Sequence, residues 1–152
     1  MGTGVRLMLK YIPFEYREHT ADILVVAYGR SLEELFENAA LAVFEIMTDT
    51  KRVDTRVKRE IKCSGIDLEN LLYKWIEDLL FYFDSEGLVF SRFKVHRIQK
   101  IDDEYMLEGE AWGEEFNPEK HESRTLVKAV TYAQMSISKV DSLWRASFVV
   151  DI

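Results

Sequence analysis

The sequence predicts an α+β domain, two amphipathic helices packed on a largely antiparallel or mixed β-sheet. Three observations carry this. Two segments repeat apolar residues at helical spacing, the other segments alternate apolar with polar residues, and only short turn-like stretches separate them. The chain has 152 residues, 47% of them apolar and 31% charged, which suits a single domain over residues 1–152 with a core of its own. Residues 1–12 are expected as a less ordered start.

"FEYREH" and "ILVVAYG" read as the first two strands, on either side of a polar cluster. In "SLEELFENAALAVFEIM", Leu32, Leu35, Phe36, Ala39, Ala40, Val43, Phe44 and Met47 form one helical stripe. Ser31 is its N-cap, and Glu34 stands where a capping box needs it. "VDTRVKREIKC" alternates, with Val53, Thr55, Val57, Ile61 and Cys63 on one face. "DLENLLYKWIEDLLFYFDSEG" is the second helix, capped by Asp67 and closed by Gly87, with Leu72, Trp75, Ile76 and Leu79 in its stripe. "GLVFSRFKVHRIQ" and "EYMLEGEAWGEEF" follow as strands joined through "KIDD". After the loop "NPEKHES" come "TLVKAVTYAQMSIS" and "SLWRASFVVDI", the last with Trp144, Ala146, Phe148, Val150 and Ile152 on one face.

Charge and composition narrow the function classes. With 20 basic and 27 acidic residues, the net charge of −7 argues against free-standing, sequence-independent nucleic-acid binding. A single cysteine, Cys63, makes neither an internal disulfide nor a thiolate zinc site, and its apolar alternation marks it as core. No apolar run approaches bilayer length, and the start lacks a signal h-region, so a cytoplasmic protein is expected. There is no Gly-rich phosphate loop, no His pair at i, i+4, and no nucleophile elbow. His96, between Lys94 and Arg97, reads as part of a solvated face. The basic strand "KRVDTRVKREIK" reads as a charged edge guarded against aggregation before it reads as an RNA surface. Tyr73, Phe81 and Tyr82 lie off the helix stripe and are candidates for a partner surface.

The informative acids are Asp22, in "REHTADI", and Asp151, next to Ile152 and out of phase with the buried set. Hard cations take oxygen ligands from distant parts of a chain, so Asp22, Asp151 and a backbone oxygen of Ile152 could share an ion if their strands are neighbours. On spacing alone the alternative is preferred, a capping Asp22 and a solvated Asp151.

"EHTADI" followed by "YGRSLEELFENAALAVFEIMTD" resembles the opening of the archease proteins. The resemblance continues through "DLENLLYKWIEDLLFYFDSEGLVFS" and "GEEFNPEKHESRTLVKAVTYAQM" to "VVDI", nearly the whole chain from about Phe14. It implies an α+β fold and an accessory role in tRNA splicing rather than a stand-alone enzyme. The partner implied is an RtcB-type RNA ligase, which joins tRNA halves through a guanylate on its own histidine, using GTP and a divalent metal. The accessory protein is expected to promote guanylylation and multiple turnover, with RNA contact indirect. The alternative is a chaperone-like modulator of a tRNA methyltransferase. An independent metal-dependent hydrolase would need a general base beside the ion, and His19 is the only histidine near in sequence.

The resemblance also implies a divalent cation, Ca²⁺ or Mg²⁺, at Asp22 and Asp151 with the Ile152 oxygen as helper, presented to the ligase's nucleotide site. His19 would orient the cluster, and a purely structural His19 competes equally. Lys128 is the candidate for a phosphate or a partner carboxylate, with Lys120 and His121 behind it. Many members carry His after "KAVTY"; Ala133 stands there here, so no imidazole role carries over.

Overall fold

The computed structural model describes residues 11–18 and 21–152; apart from Tyr11 and Ile12, the start expected to be less ordered lies outside the described residues, as does His19. In chain order the elements are β1 (Phe14–Glu18), β2 (Asp22–Gly29), α1 (Leu32–Met47), a 3-10 turn (Thr50–Arg52), β3 (Val57–Gly65), α2 (Leu68–Glu86), β4 (Leu88–Ile101), β5 (Glu104–Glu115), β6 (Ala129–Val140) and β7 (Leu143–Asp151). The strands form two sheets, ordered β1-β2-β7-β6 and β3-β5-β4, and every pairing is antiparallel. Among the described residues, no helix is long and apolar enough to cross a membrane.

The helices start and stop where their local chemistry says. Ser31 Oγ accepts the Glu34 N–H at 3.1 Å, while the Glu34 carboxylate reaches back to the Arg30 N–H at 2.6 Å, one residue earlier than a standard capping box. Asp67 accepts the Asn70 N–H at 2.7 Å. Gly87 closes α2 in the left-handed region, φ 68°, and donates to Phe83 O at 2.9 Å. The last turn of α1 holds no basic residue. Arg124 supplies the charge from the 116–128 loop, donating to Glu45 O at 2.9 Å and the Glu45 carboxylate at 2.6 Å.

The core lies between the sheets. α1 packs on β2 and β7 of the first sheet and on β4 of the second. α2 packs on β3 and β5 of the second and on β6 of the first. Trp75 is fully buried, and its Nε1 donates to Phe36 O at 2.9 Å, tying α2 to α1. Cys63 packs against this core, and burial, with Asp78 adding to it, pushes its thiol up to about 12. It is therefore no thiolate at neutral pH.

Two strands are shorter than the alternation predicts. The strand expected from Val53 begins at Val57, because Thr50–Arg52 turn and the Asp54 N–H goes to the Glu114 carboxylate at 2.7 Å. The strand expected from Thr125 begins at Ala129, because the N–H groups of Arg124 and Thr125 go to Met47 O and Ile46 O, both at 3.0 Å. The β4–β5 and β6–β7 turns each place an aspartate at positive φ, Asp102 in "KIDD" (56°) and Asp141 (58°).

Candidate functional site

β2 and β7 are neighbours, and the register places Asp22 directly opposite Asp151. The same register settles which face they occupy. Ile23, Val25 and Ala27 on β2, and Val150, Phe148 and Ala146 on β7, turn towards the helices. With a side-chain period of two, Asp22 and Asp151 project from the opposite face, at the end of the sheet. Asp22 Oδ1 is buried, whereas Asp151 is exposed.

On the other side of β7, Ala129 stands opposite Asp151, and the Lys128 N–H donates to Asp151 O at 2.8 Å. Ile152 follows directly, and the Lys128 side chain is exposed. The fold thus brings together Asp22, Asp151, Ile152 and Lys128 from three strand ends.

Two like charges directly across an antiparallel pair disfavour each other. A bound cation would turn that cost into binding energy, and carboxylate and carbonyl oxygens are what Ca²⁺ and Mg²⁺ accept. Asp22 and Asp151, with the Ile152 oxygen, are the donors that would hold a hard divalent ion here. Among the described residues, no group of three or more His, Cys, Asp or Glu side chains converges on a metal-sized space. An ion on two carboxylates keeps positions open for water or a partner's oxygens.

Lys120 and His121 sit elsewhere, in a network the sequence reading missed. Its centre is Glu114, the last-but-one residue of β5 and only 8% exposed. Glu114 Oε2 accepts from Lys120 Nζ (2.7 Å), the Asp54 N–H (2.7 Å) and His121 Nε2 (3.0 Å), and Arg56 lies 3.4 Å from Oε1. His121 Nδ1 accepts the Asn117 N–H at 2.9 Å, so the ring proton sits on Nε2 and points at Glu114. Of the two predicted residues, His121 is buried and Lys120 reaches solvent, as do Asp54 and Arg56. The signal in the sequence was "GEEF", where a second acid interrupts the alternation. The network anchors one end of the loop whose other end carries Lys128.

Burial opposes the Glu114 charge, but Lys120, the Asp54 N–H and His121 outweigh it and hold the carboxyl at about 2. A lowered folded pKa contributes stability above the unfolded value and loses it as pH falls through the folded one. Glu114→Gln is expected to cost about 2 kcal/mol at pH 7, a cost that fades between about pH 5 and pH 2. Urea unfolding of both proteins at pH 7 and pH 3 checks this; an equal cost at both values would contradict it.

His96 is exposed and lies 2.6 Å from Glu110, as a solvated face requires. Lys58 meets the same Glu110 at 3.1 Å, so part of the basic strand is neutralised within the sheet.

Fold and site together define a small α+β module that offers oxygen ligands at the open end of a sheet. The model of the Archease protein family (MTH1598/TM1083) matches residues 14–152. The chain is 56% identical to the archease of Aeropyrum pernix over 137 residues, 90% of this chain and 95% of that one. It is 59% identical to that of Sulfolobus acidocaldarius over 140 residues, 91% and 98%. The solution structure of Methanobacterium thermoautotrophicum protein 1598 superposes with a TM-score of 0.82 at 46% identity, covering 92% of this chain and 99% of that one. The crystal structure of a Thermotoga maritima archease, described as a possible chaperone, shares the fold with a TM-score of 0.56 at 24% identity over 91% and 96%. The chain belongs to the archease family.

Proposed function

We propose that this protein is an accessory factor of tRNA splicing that activates an RtcB-type RNA ligase, promoting its guanylylation and multiple turnover. The observation that carries this reading is the placement of Asp22 opposite Asp151 at an exposed sheet end. A divalent cation held there by Asp22, Asp151 and the Ile152 oxygen would supply positive charge to offset phosphate at the ligase's nucleotide site. Asp22 and Asp151 hold the charge in place, and Lys128, one residue from their ladder, adds a cation for a phosphate or partner carboxylate. His19 would orient Asp22. The chain performs no reaction of its own in this reading.

The test is multiple-turnover ligation by the cognate ligase with GTP and metal. Substoichiometric wild-type protein is expected to raise turnover, and Asp22→Ala and Asp151→Ala to lower the stimulated rate at least tenfold. Stimulation by both folded variants equal to wild type would remove the ion from the mechanism. The second reading is a chaperone-like modulator of a tRNA methyltransferase, on which the description of the Thermotoga relative bears. It requires protection of that enzyme from aggregation at stoichiometric amounts, with no effect on the ligase.

A further inference from the structure

We propose that the cavity between α2 and the start of β6 receives an arginine or lysine side chain of the partner protein, anchoring the partner beside the paired aspartates. This rests on the activator reading above and assigns it a docking point.

The cavity encloses about 390 Å³, within the range of ligand pockets. One wall is a single helix face, since Tyr73, Glu77, Phe81 and Asp84 recur at spacings of three and four. The other wall is the segment from Lys128 to Val130. Phe81 is 61% exposed, on the face of α2 turned away from the core. Tyr73 is held rigid by stacking on Tyr132, centroids 4.2 Å apart and planes within 7°.

The charges around the cavity are unbalanced. Glu45, Glu86, Glu108 and Glu110 each meet a basic side chain of the chain itself. Among the described residues, Glu77, Asp78 and Asp84 form no such ion pair, and Lys128 brings the lining one positive charge against their three negative ones. Burial, with Glu77 beside it, pushes the Asp78 carboxyl up against the opposing pull of Lys74. An incoming cation would relieve that. Exposed aromatic rings next to carboxylates suit a guanidinium or ammonium with an aliphatic stem, through cation–π contact and charge-assisted hydrogen bonds. They repel phosphate, so RNA is not the occupant.

Location gives the pocket its role. Lys128 and Ala129 line it, and the same two residues flank Asp151 through the 2.8 Å Lys128 N–H bond and the Ala129 register. A partner side chain seated there fixes the distance from the partner to the Asp22–Asp151 end.

The test is calorimetric titration of the full chain into the cognate ligase, alongside ligation assays over a range of activator concentration. Glu77→Lys with Asp84→Lys, and separately Phe81→Ala, are checked for folding by circular dichroism; Glu77→Gln with Asp84→Asn serves if charge reversal prevents folding. The expected result is at least tenfold weaker binding and a matching rise in the half-maximal activator concentration, with the stimulated plateau unchanged. Affinities within twofold of wild type for folded variants overturn the pocket assignment while the activator reading stands. Charge reversal that strengthens association points to an acidic or RNA occupant and also overturns it. Failure of wild type to bind or stimulate the ligase brings down the activator reading, and the docking point with it.

Discussion

Trp75→Ala is expected to lower the stability of the fold by about 3–5 kcal/mol. The indole is fully buried and donates to Phe36 O at 2.9 Å, so it joins the two helices by packing and by a hydrogen bond. It also packs closely against β5 at Gly109, where an added Cβ would sit 3.1 Å from the ring. Alanine leaves a cavity that the surrounding β-sheets cannot close, and a Phe36 carbonyl without its donor. Trp75→Phe keeps most of the volume and loses the donor, at a cost of roughly 1–3 kcal/mol. For a chain of this size, the alanine variant should melt about 10 °C or more below wild type. Chemical unfolding of the three proteins separates the packing contribution from the hydrogen bond. A cost below about 1 kcal/mol for alanine would mean the indole is not the link between the helices.

Calcium or magnesium is expected to raise the melting temperature of wild type and to leave Asp151→Ala unmoved. Ligand that binds only the folded state stabilises it by about 2.7 kcal/mol at a hundred times its dissociation constant. In the proposed function, the facing carboxylates of Asp22 and Asp151 would supply that binding energy. With chelator present, Asp151→Asn should be no less stable than wild type, since removing one charge removes the repulsion. Scanning calorimetry with each metal and with chelator gives all of these comparisons. A cation-dependent rise that persists in Asp151→Ala places the ion elsewhere on the chain.

The helices were legible because their signals are local. Ser31, Asp67 and Gly87 act within a turn of their own positions, and the apolar stripes of both helices are buried as their spacing implies. The face of Asp151 was legible for the same reason, since alternation alone places it out of phase with Phe148 and Val150. Its partner was not. Nothing in the order of strands says that β7 inserts between β2 and β6, or that the strands divide into two sheets. Glu114 gathers Asp54 and the adjacent pair Lys120 and His121 from two other stretches, and Arg124 caps a helix that ends at Met47. Periodicity within a window cannot see such meetings. The bulge in β6 between Thr131 and Ser136, with Gln134 at φ 56°, likewise answers to the neighbouring strand rather than to its own residues.

The pairing of residues 22 and 151 has a consequence in time. Strand β2 leaves the ribosome early and must wait for nearly everything after it before β7 arrives. Contacts so distant in sequence are made late, because the entropy of closing the intervening loop comes before any reward. Both helices and the β3-β5-β4 sheet can form first, on contacts closer in the chain. A nascent protein, or one truncated before β7, would then be compact yet lack the Asp22–Asp151 pair. The ion proposed for this end would then bind only to the finished chain, so its binding would be a signature of completed synthesis.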